Sequence, residues 1–140
     1  MTAEFTVAVH ALVYLVHKNC VVSSAALAEN ICTNPARVRK VMSKLHKAGL
    51  VEPHMGQGSG YSADPGAGAI ALDTVLNALQ EQAIEMNWRS GDMDQDCLVA
   101  SGMGDIMAGV YGELNKACLE KLAQITINDI NAMIFGKEEK

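Results

Sequence analysis

The stretch that decides the fold is residues 34–51, which read NPARVRKVMSKLHKAGLV. Asn34 suits the cap of a helix N-terminus, Pro35 suits the first helical position, and Gly49 suits the position after the last turn. These signals predict a helix over residues 35–48. One side of that helix carries the apolar residues Val38, Val41, Met42 and Leu45. The helix therefore has a face to bury against the rest of the chain.

Two further helices are predicted before this stretch. Residues 3–18 have apolar side chains at helical spacing, which indicates an amphipathic helix. Ser23 or Ser24 can cap a short second helix over residues 25–31, and residues 32–33 form a tight turn. Three short helices, with a tight turn between the second and the third, are typical of a helix-turn-helix.

A β-hairpin is predicted directly after the third helix. Residues 50–54 and 61–63 form short extended segments, and the turn between them holds three glycines. A helix-turn-helix followed at once by a hairpin is the winged-helix arrangement. We therefore predict a mainly α fold with a small β-hairpin, in which residues 1–66 form a winged helix-turn-helix domain.

Residues 67–140 are predicted to form a linker, a helix and a long dimerisation helix. Apolar periodicity indicates a helix over residues 72–86 and a long helix over residues 103–124, with a polar, acidic loop between them. A short last helix over residues 126–135 follows, and residues 137–140 are expected to be a frayed tail.

The long helix carries an apolar seam whose residues step by threes and fours. We assign these residues to a homodimer interface: Met107, Val110, Leu114, Cys118 and Leu122. Packing of the same seam against the winged helix of its own chain is the alternative.

The charge of the 140-residue chain is unevenly distributed. Its formal net charge is −5, yet residues 32–51 hold five of the eleven Lys and Arg residues and no acid. With 49% apolar and 19% charged residues, the composition excludes a disordered chain and a fibrous repeat. The total charge argues against a nucleic-acid partner, but the location of the basic block argues for one.

The basic residues form a stripe along the helix at 35–48. Arg37, Lys40, Lys44 and Lys47 follow one another by three or four positions, and Arg39 lies beyond them. A helix that is merely solvated usually interleaves acids with its bases, and this helix has none. Its like charges repel one another unless an anion lies opposite, which favours contact with DNA phosphates over a merely solvated face.

Each basic residue has an expected role at DNA. Lys40, Lys44 and Lys47 would neutralise phosphates, while Arg37 and Arg39 would reach guanine edges in the major groove. The hairpin tip is a second candidate contact, although a plain structural hairpin is the alternative. The full predicted DNA-binding set is Asn34, Ala36, Arg37, Arg39, Lys40, Ser43, Lys44, Lys47, His54 and Gln57.

The sequence contains no motif that is typical of another class of function. Nucleophile elbows, zinc-protease motifs, Walker loops and dinucleotide fingerprints are all missing, so we predict that the protein is not an enzyme. The four histidines are scattered along the sequence and predict no metal site. The acids Asp92, Asp94 and Asp96 indicate a solvated loop, with a weak cation site as the alternative.

A cytoplasmic protein with no membrane partner is expected. The first apolar run, residues 5–16, is too short to span a bilayer. No Lys or Arg precedes this run and His10 interrupts it, which disfavours a signal peptide. The four cysteines include no Cys-x-x-Cys pair and do not predict a disulfide framework.

Several strings, taken in order, resemble one family. They are residues 34–42, residues 45–51, the glycine-rich segment 56–61, and a pattern formed by Ile70, Leu72, Asp73 and Val75. Together with a long late helix behind a Cys-containing loop, they resemble the IscR/NsrR/CymR family, the Rrf group of bacterial winged-helix regulators. The resemblance covers about residues 3–135. It implies a homodimer that pairs through the long helix, binds a palindromic operator and represses transcription.

The chain departs from this family at the loop before the long helix. The iron–sulfur members carry three cysteines and a further ligand there, and in this chain only Cys97 has a counterpart, with Ala100 at the position of a histidine. One thiolate cannot hold a cluster that needs four protein ligands. We therefore predict no cofactor, unless other ligands or a partner subunit complete the set. Met55 stands where the wing arginine is usual, and Arg39 where cluster-sensing relatives often have Glu.

Cys97 has two interpretations. It is either an inert loop thiol or a redox sensor whose oxidation moves the loop and the dimer. The nearby carboxylates disfavour a thiolate, whereas the start of a helix favours one. Cys118 is interpreted as a packing residue.

These observations predict a homodimeric, DNA-binding transcriptional regulator that acts as a repressor, with an unknown effector. The alternative is a winged-helix protein-interaction module that has lost DNA binding. The five Lys and Arg residues of the third helix separate the two hypotheses.

Overall fold

The computed structural model describes residues 1–136, and the predicted tail at 137–140 lies outside the described residues. A mainly helical fold with a two-stranded hairpin and a long C-terminal helix is confirmed. The elements are α1 (Ala3–Lys18), α2 (Ser24–Ile31), α3 (Pro35–Lys47), β1 (Val51–His54), β2 (Gly60–Ala63), α4 (Leu72–Ala78), α5 (Leu98–Leu122) and α6 (Ile127–Phe135).

Side-chain caps begin α2 and α3, and a glycine follows the end of α3. Ser23 Oγ accepts a hydrogen bond from the N–H of Ala26 at 3.1 Å and starts α2. Asn34 Oδ1 accepts from the N–H of Arg37 at 2.8 Å and starts α3. Gly49 adopts a left-handed conformation, with φ of 78°, immediately after α3. The predicted limits of these helices are therefore confirmed to within about one residue.

The hairpin of β1 and β2, which we call the wing, is attached to the loop between α1 and α2. The two strands are antiparallel, and Pro53 lies opposite Tyr61. Val22 of the loop exchanges two backbone hydrogen bonds with Tyr61, at 2.9 and 2.8 Å. Because this bridge adds a third segment beside β2, the base of the wing cannot turn independently of the helices.

The helix predicted over residues 72–86 is too long, because α4 ends at Ala78. Gln80 has a φ of 58°, a left-handed conformation that stops the helix. The chain beyond this point bonds to the N-terminus instead: the ammonium group of Met1 donates to the carbonyl oxygen of Ala83 at 2.8 Å. Tertiary hydrogen bonds thus replace the helical bonds that the apolar periodicity favours.

The predicted loop before the long helix is also too long, because α5 begins at Leu98 and not at Met103. The acidic run ends just before this point, and negative charge is stabilised ahead of a helix N-terminus by the helix dipole. The loop also bonds to the first turn, since the N–H of Asp92 donates to the carbonyl oxygen of Ala100 at 3.0 Å.

Asn115 connects α5 to the segment that follows α4. Its Oδ1 accepts from the N–H of Ile84 at 2.6 Å, and its Nδ2 donates to the carbonyl oxygen of the same residue at 2.8 Å. One carboxamide therefore satisfies both backbone polar groups of Ile84.

A single hydrophobic core joins the helix-turn-helix to the later helices. Its fully buried large side chains are Leu12, Leu15, Leu27, Val38, Val41, Met42, Leu45, Val51, Val75, Leu76, Leu79 and Ile127. The last helix, α6, packs against α1. The division of the chain into residues 1–66 and 67–140 stays a prediction.

None of the helices within residues 1–136 combines the length and the apolar character that crossing a bilayer requires.

Candidate nucleic-acid interface

The two faces of α3 separate as its sequence pattern predicts. The apolar face lies in the core, where its four aliphatic residues are fully buried. The opposite face carries the exposed residues Arg37, Arg39, Lys40, Ser43 and Lys47, and Lys44 at its edge is half-buried. A row of long donors on a rigid, buried support can reach into a groove of DNA without losing its orientation.

The N-terminal end of α3 is also exposed. Asn34 and Ala36 lie at the surface there. Because the Oδ1 atom of Asn34 caps the helix, the donor side of this carboxamide is the part that can meet DNA. The first backbone N–H groups of a helix carry partial positive charge, so this end suits a phosphate oxygen.

Glu4 of α1 provides the anion that the charge pattern of α3 requires. Its Oε1 lies 3.0 Å from Nζ of Lys40, and its Oε2 lies 3.3 Å from Nζ of Lys44. The hydrogen bond from Lys40, supported by Lys44, holds the pKa of the Glu4 carboxyl below its usual value. The protein itself therefore neutralises part of the basic stripe.

The sequence reasoning missed Glu4 because it looked for acids within the basic helix. A helix-to-helix ion pair has no fixed spacing along the chain, so only the packing of α1 on α3 shows this contact. Sequence alone offered one signal, which is that Glu4 is the one acid among residues 3–18 and lies at the start of that helix.

The other three bases of α3 differ from Lys40 and Lys44. Within residues 1–136, Arg37, Arg39 and Lys47 form no ion pair with an acidic side chain. Lys40 keeps 64% of its side chain exposed and Lys44 keeps 35%. The positive charge left for a ligand is thus concentrated on two arginines and the last lysine.

The two wing residues of the predicted DNA-binding set lie at the surface. Gln57 is exposed in the turn, and His54 Nε2 shares a hydrogen bond of 2.8 Å with Ser62 Oγ across the hairpin. Met55, beside the turn, is 89% exposed. An exposed apolar side chain contributes no charge there, so the wing has less to offer a phosphate than α3 has.

The predicted dimer seam divides between two environments. Cys118 and Leu122 pack against the core of their own chain, and Met107 is half-buried beside Tyr111. Val110 and Leu114 remain 43% and 44% exposed. Ile106, which the seam did not include, is 62% exposed and lies one turn before Val110. The assignment of this helix to a dimer interface stays a prediction, with an exposed stripe on α5 as its structural basis.

Cys97 lies exposed immediately before α5. The backbone N–H groups of Ala100 and then of Val99 lower the pKa of its thiol.

The cysteines do not fit an iron–sulfur cluster. Cys20, Cys32 and Cys97 are exposed at separate places, and Cys118 is half-buried on α5. Across residues 1–136, no three His, Cys, Asp or Glu side chains come together as metal ligands. One chain thus offers a single thiolate at the loop, where a cluster requires four ligands.

Comparison with known proteins agrees with the fold described above. The Rrf2 family model, described as an iron-dependent transcriptional regulator, matches residues 1–132. Among curated proteins, none matches the sequence.

Solved structures with a similar fold include three bacterial proteins. A candidate transcriptional regulator from Lactobacillus plantarum has 24% identity over 99% of this chain and 97% of its own, with a TM-score of 0.83. IscR of T. potens has 20% identity over 93% and 84%, with a TM-score of 0.67. CymR (YrzC), the global cysteine regulator of B. subtilis, has 17% identity over 95% and 96%, with a TM-score of 0.68.

The resemblance inferred from the sequence strings is therefore confirmed. Because the family model covers nearly the whole chain, this protein belongs to the Rrf2 family, whose members are DNA-binding transcriptional regulators and not enzymes.

Proposed function

We propose that this chain is a cytoplasmic, homodimeric repressor in which α3 of each protomer binds one half-site of a palindromic operator. The observation that carries the proposal is the outward face of α3, where Arg37, Arg39 and Lys47 are exposed and form no ion pair within the described residues. Three long cationic donors that form no ion pair with the described residues, spread across the exposed side of one helix, are suited to the anionic groove of a duplex.

The roles within α3 follow from position. Arg37 and Arg39 lie in the first turns, where a recognition helix approaches base edges, so they would select the operator sequence. Lys47 lies in the last turn, where it would contact a phosphate and contribute affinity without selectivity. Lys40 and Lys44 would bind phosphates in competition with Glu4.

Binding to the DNA upstream of the chain's own coding sequence tests this assignment. The matched pair of variants is Arg37→Ala on α3, against Lys116→Ala at an exposed position of α5 that lies away from the stripe of Val110 and Leu114. Fluorescence anisotropy at two salt concentrations should show that the α3 variant loses at least about tenfold in affinity, because it lacks a contact to DNA. If the lost contact is to a phosphate, the affinity of the variant should also depend less steeply on salt. The α5 variant should bind as the parent does.

A contrary result identifies the alternative function. If the parent prefers no duplex, or if the α3 variant binds as tightly as the parent, the chain is a protein-interaction module and the repressor assignment is wrong. Transcription from the bound promoter in a purified system then separates repression from activation.

The homodimer is proposed to form through α5. Val110 and Leu114 are apolar residues, one turn apart, that remain accessible on this helix. Substitution of both by Lys should leave a monomer of 14.9 kDa in sedimentation velocity at micromolar concentration. Met133→Lys, at an exposed apolar position on α6, is the control and should leave the dimer intact. A monomeric parent chain would contradict this part of the proposal.

A further inference from the structure

A cavity of about 590 Å³ lies along the side of α1 that faces away from α3, and α6 closes its opposite wall. This volume falls within the range of roughly 300–1,000 Å³ that accommodates small ligands. Its apolar walls are formed mainly by Phe5, Val9, Leu72, Ile130, Ile134 and Phe135.

The cavity gathers aromatic side chains from a chain that has few. The whole sequence contains two Phe, three Tyr and one Trp, and both Phe residues and Tyr14 line this cavity. The ring of Phe135 stacks on His17 with centroids 4.0 Å apart and planes inclined by 14°. Such walls favour a flat, apolar ligand.

Among the described residues that line the cavity, the charged side chain is that of Lys18, which is basic. Lys18 and the histidines His10 and His17 belong to its lining, and none of the described residues that line it is acidic. The ammonium of Lys18 lies 5.6 Å from the ring centre of Tyr14, at the end where α1 finishes. A ligand with a negative charge at that end would be matched, whereas a cation would not.

Asn131 adds a specific polar requirement. Its Nδ2 donates to the carbonyl oxygen of Val13 at 3.5 Å, which orients the carboxamide. Its Oδ1 is buried and has no hydrogen-bond partner within residues 1–136. A buried acceptor without a donor is unfavourable, and a rotation of this carboxamide toward the cavity would let an N–H or O–H group of a ligand satisfy it.

From these observations we propose that the cavity between α1 and α6 binds a flat, apolar small molecule that carries one acidic group and one N–H or O–H donor. The ligand's ring system would lie among Phe5, Val9 and Phe135, its acidic group would meet Lys18, and its donor would meet Asn131. Among the described residues, the buried side-chain acceptor without a hydrogen-bond partner belongs to Asn131, a residue of this partly open apolar cavity.

The same helix connects this cavity to the proposed DNA interface. Phe5 lines the cavity, and the preceding residue, Glu4, holds Lys40 and Lys44 of α3. A ligand that shifts the start of α1 therefore changes how much of the basic stripe is neutralised. This regulatory part rests on the proposed function, whereas the binding part does not.

The test uses 1-anilinonaphthalene-8-sulfonate as the probe, because it combines aromatic rings, a sulfonate and an N–H group, and fluoresces in apolar sites. Lys18→Glu reverses the charge at an exposed position, and Lys116→Glu makes the same change on α5 as its control. Val9→Trp fills the cavity. Val110→Lys with Leu114→Lys removes the exposed apolar stripe of α5, to which the probe could also bind.

The expected result is saturable binding by the parent chain, weakened at least about fivefold by Lys18→Glu and lost in Val9→Trp. The two α5 variants should bind as the parent does. The proposal is overturned if the parent does not bind, if the cavity variants keep full affinity, or if the α5 double variant removes binding. It is also overturned if Val9→Trp produces a monomer, since a second copy of the chain would then occupy the cavity.

DNA binding in the presence of the probe tests the regulatory part. Saturating probe should change the affinity of the parent chain for duplex DNA and leave that of Val9→Trp, which is expected not to bind the probe, unchanged at the same concentration. Saturable cavity binding with no change in DNA affinity overturns the regulatory part alone. A parent chain that binds the probe and no duplex instead refutes the proposed function and leaves the cavity site intact.

Discussion

The carboxylate of Glu4 lies 3.0 Å from the ammonium group of Lys40, so a residue of the first helix controls the charge of the third. The same carboxylate also reaches Lys44. In the proposed complex, DNA phosphates would compete with this internal anion for both lysines, whereas the two arginines of α3 form no ion pair in the described part of the chain. The basic helix is thus less positive in the fold than it is in the sequence.

Removal of this carboxylate should strengthen and steepen DNA binding. Glu4→Gln frees both lysines, so the slope of log affinity against log salt should become steeper by about one, as one more phosphate is neutralised. Anisotropy titrations from low to moderate salt measure the slope. Glu29→Gln on α2 removes the same charge away from the lysines and should leave it unchanged. Weaker binding by Glu4→Gln would mean that the carboxylate orients the lysines for DNA.

The same ion pair should make the free energy of unfolding depend on pH. The pKa of Glu4 in the folded chain is lowered from its usual value of 4.5, chiefly by the hydrogen bond from Lys40. Its stabilising contribution is therefore complete above pH 4.5 and is lost as the pH falls through the lowered folded pKa. Urea unfolding between pH 7 and pH 3 should show a smaller acid-induced loss in Glu4→Gln than in the parent. Identical losses in the two proteins would contradict the prediction.

Asn115 should contribute measurably to stability although it lies on an exposed helix. Asn115→Ala leaves both the N–H and the carbonyl oxygen of Ile84 without their partner, which costs about 1–3 kcal/mol in the free energy of unfolding. Urea denaturation followed by circular dichroism measures this difference. Asn77→Ala, at an exposed position of α4, is the control, and it should change stability by less than about 0.5 kcal/mol. A similar effect of both substitutions would show that the paired bonds of Asn115 are not important.

Sequence patterns predicted most of the helix-turn-helix because its signals are local. The caps at Ser23 and Asn34 and the glycine after α3 act within a few residues, and the structure has them where they were expected. The limits of α4 and α5 were wrong because they depend on distant partners. The first of these helices ends early at the left-handed Gln80, and the chain beyond it bonds to the N-terminal ammonium group. The loop at Asp92 supports an early start of the second helix.

The candidate DNA interface was likewise predicted from the sequence only in part. The exposed bases of α3 followed from amphipathic spacing, since burying one face of a helix presents the other. Glu4, Asn115 and the Val22–Tyr61 bridge did not follow, because each is a contact between residues far apart in the sequence. Contacts of this kind come from packing, which periodicity does not describe.

Gly60 should tolerate no side chain. A Cβ atom built there would lie 2.3 Å from the carbonyl oxygen of Val22, a backbone atom that cannot move without breaking the bridge to the wing. Gly60→Ala should therefore lower the free energy of unfolding by about 1–3 kcal/mol. Gly58→Ala in the wing turn meets no atom within 4 Å, and its smaller cost of about 1 kcal/mol comes from its positive φ alone. Thermal or urea unfolding distinguishes the two, and equal effects would contradict the steric explanation.

Cys97 should be the most reactive thiol of the chain. Cys20, Cys32 and Cys97 are all exposed, but the pKa of Cys97 is lowered by the N–H groups of Ala100 and Val99. Because the thiolate is the nucleophile, iodoacetamide at neutral pH should alkylate Cys97 first, as peptide mass spectrometry can show. If Cys97 is also the sensor, Cys97→Ala should abolish the effect of peroxide on DNA binding. Equal alkylation of the three exposed thiols would remove the basis for a sensing role.

The bridge between Val22 and Tyr61 has a consequence for the kind of duplex that the protein can accept. Two backbone hydrogen bonds join the wing to the helix-turn-helix, so the two proposed contact elements form one rigid frame. A rigid frame holds α3 and the wing at a fixed distance, so it fits one spacing between neighbouring grooves and does not adapt to another. B-form DNA offers an open major groove to α3, whereas an RNA–DNA hybrid of A-like form presents a deep and narrow one. The backbone hydrogen bonds of Val22, which fix the wing, would then help the protein to distinguish the two duplex forms independently of any contact with a base.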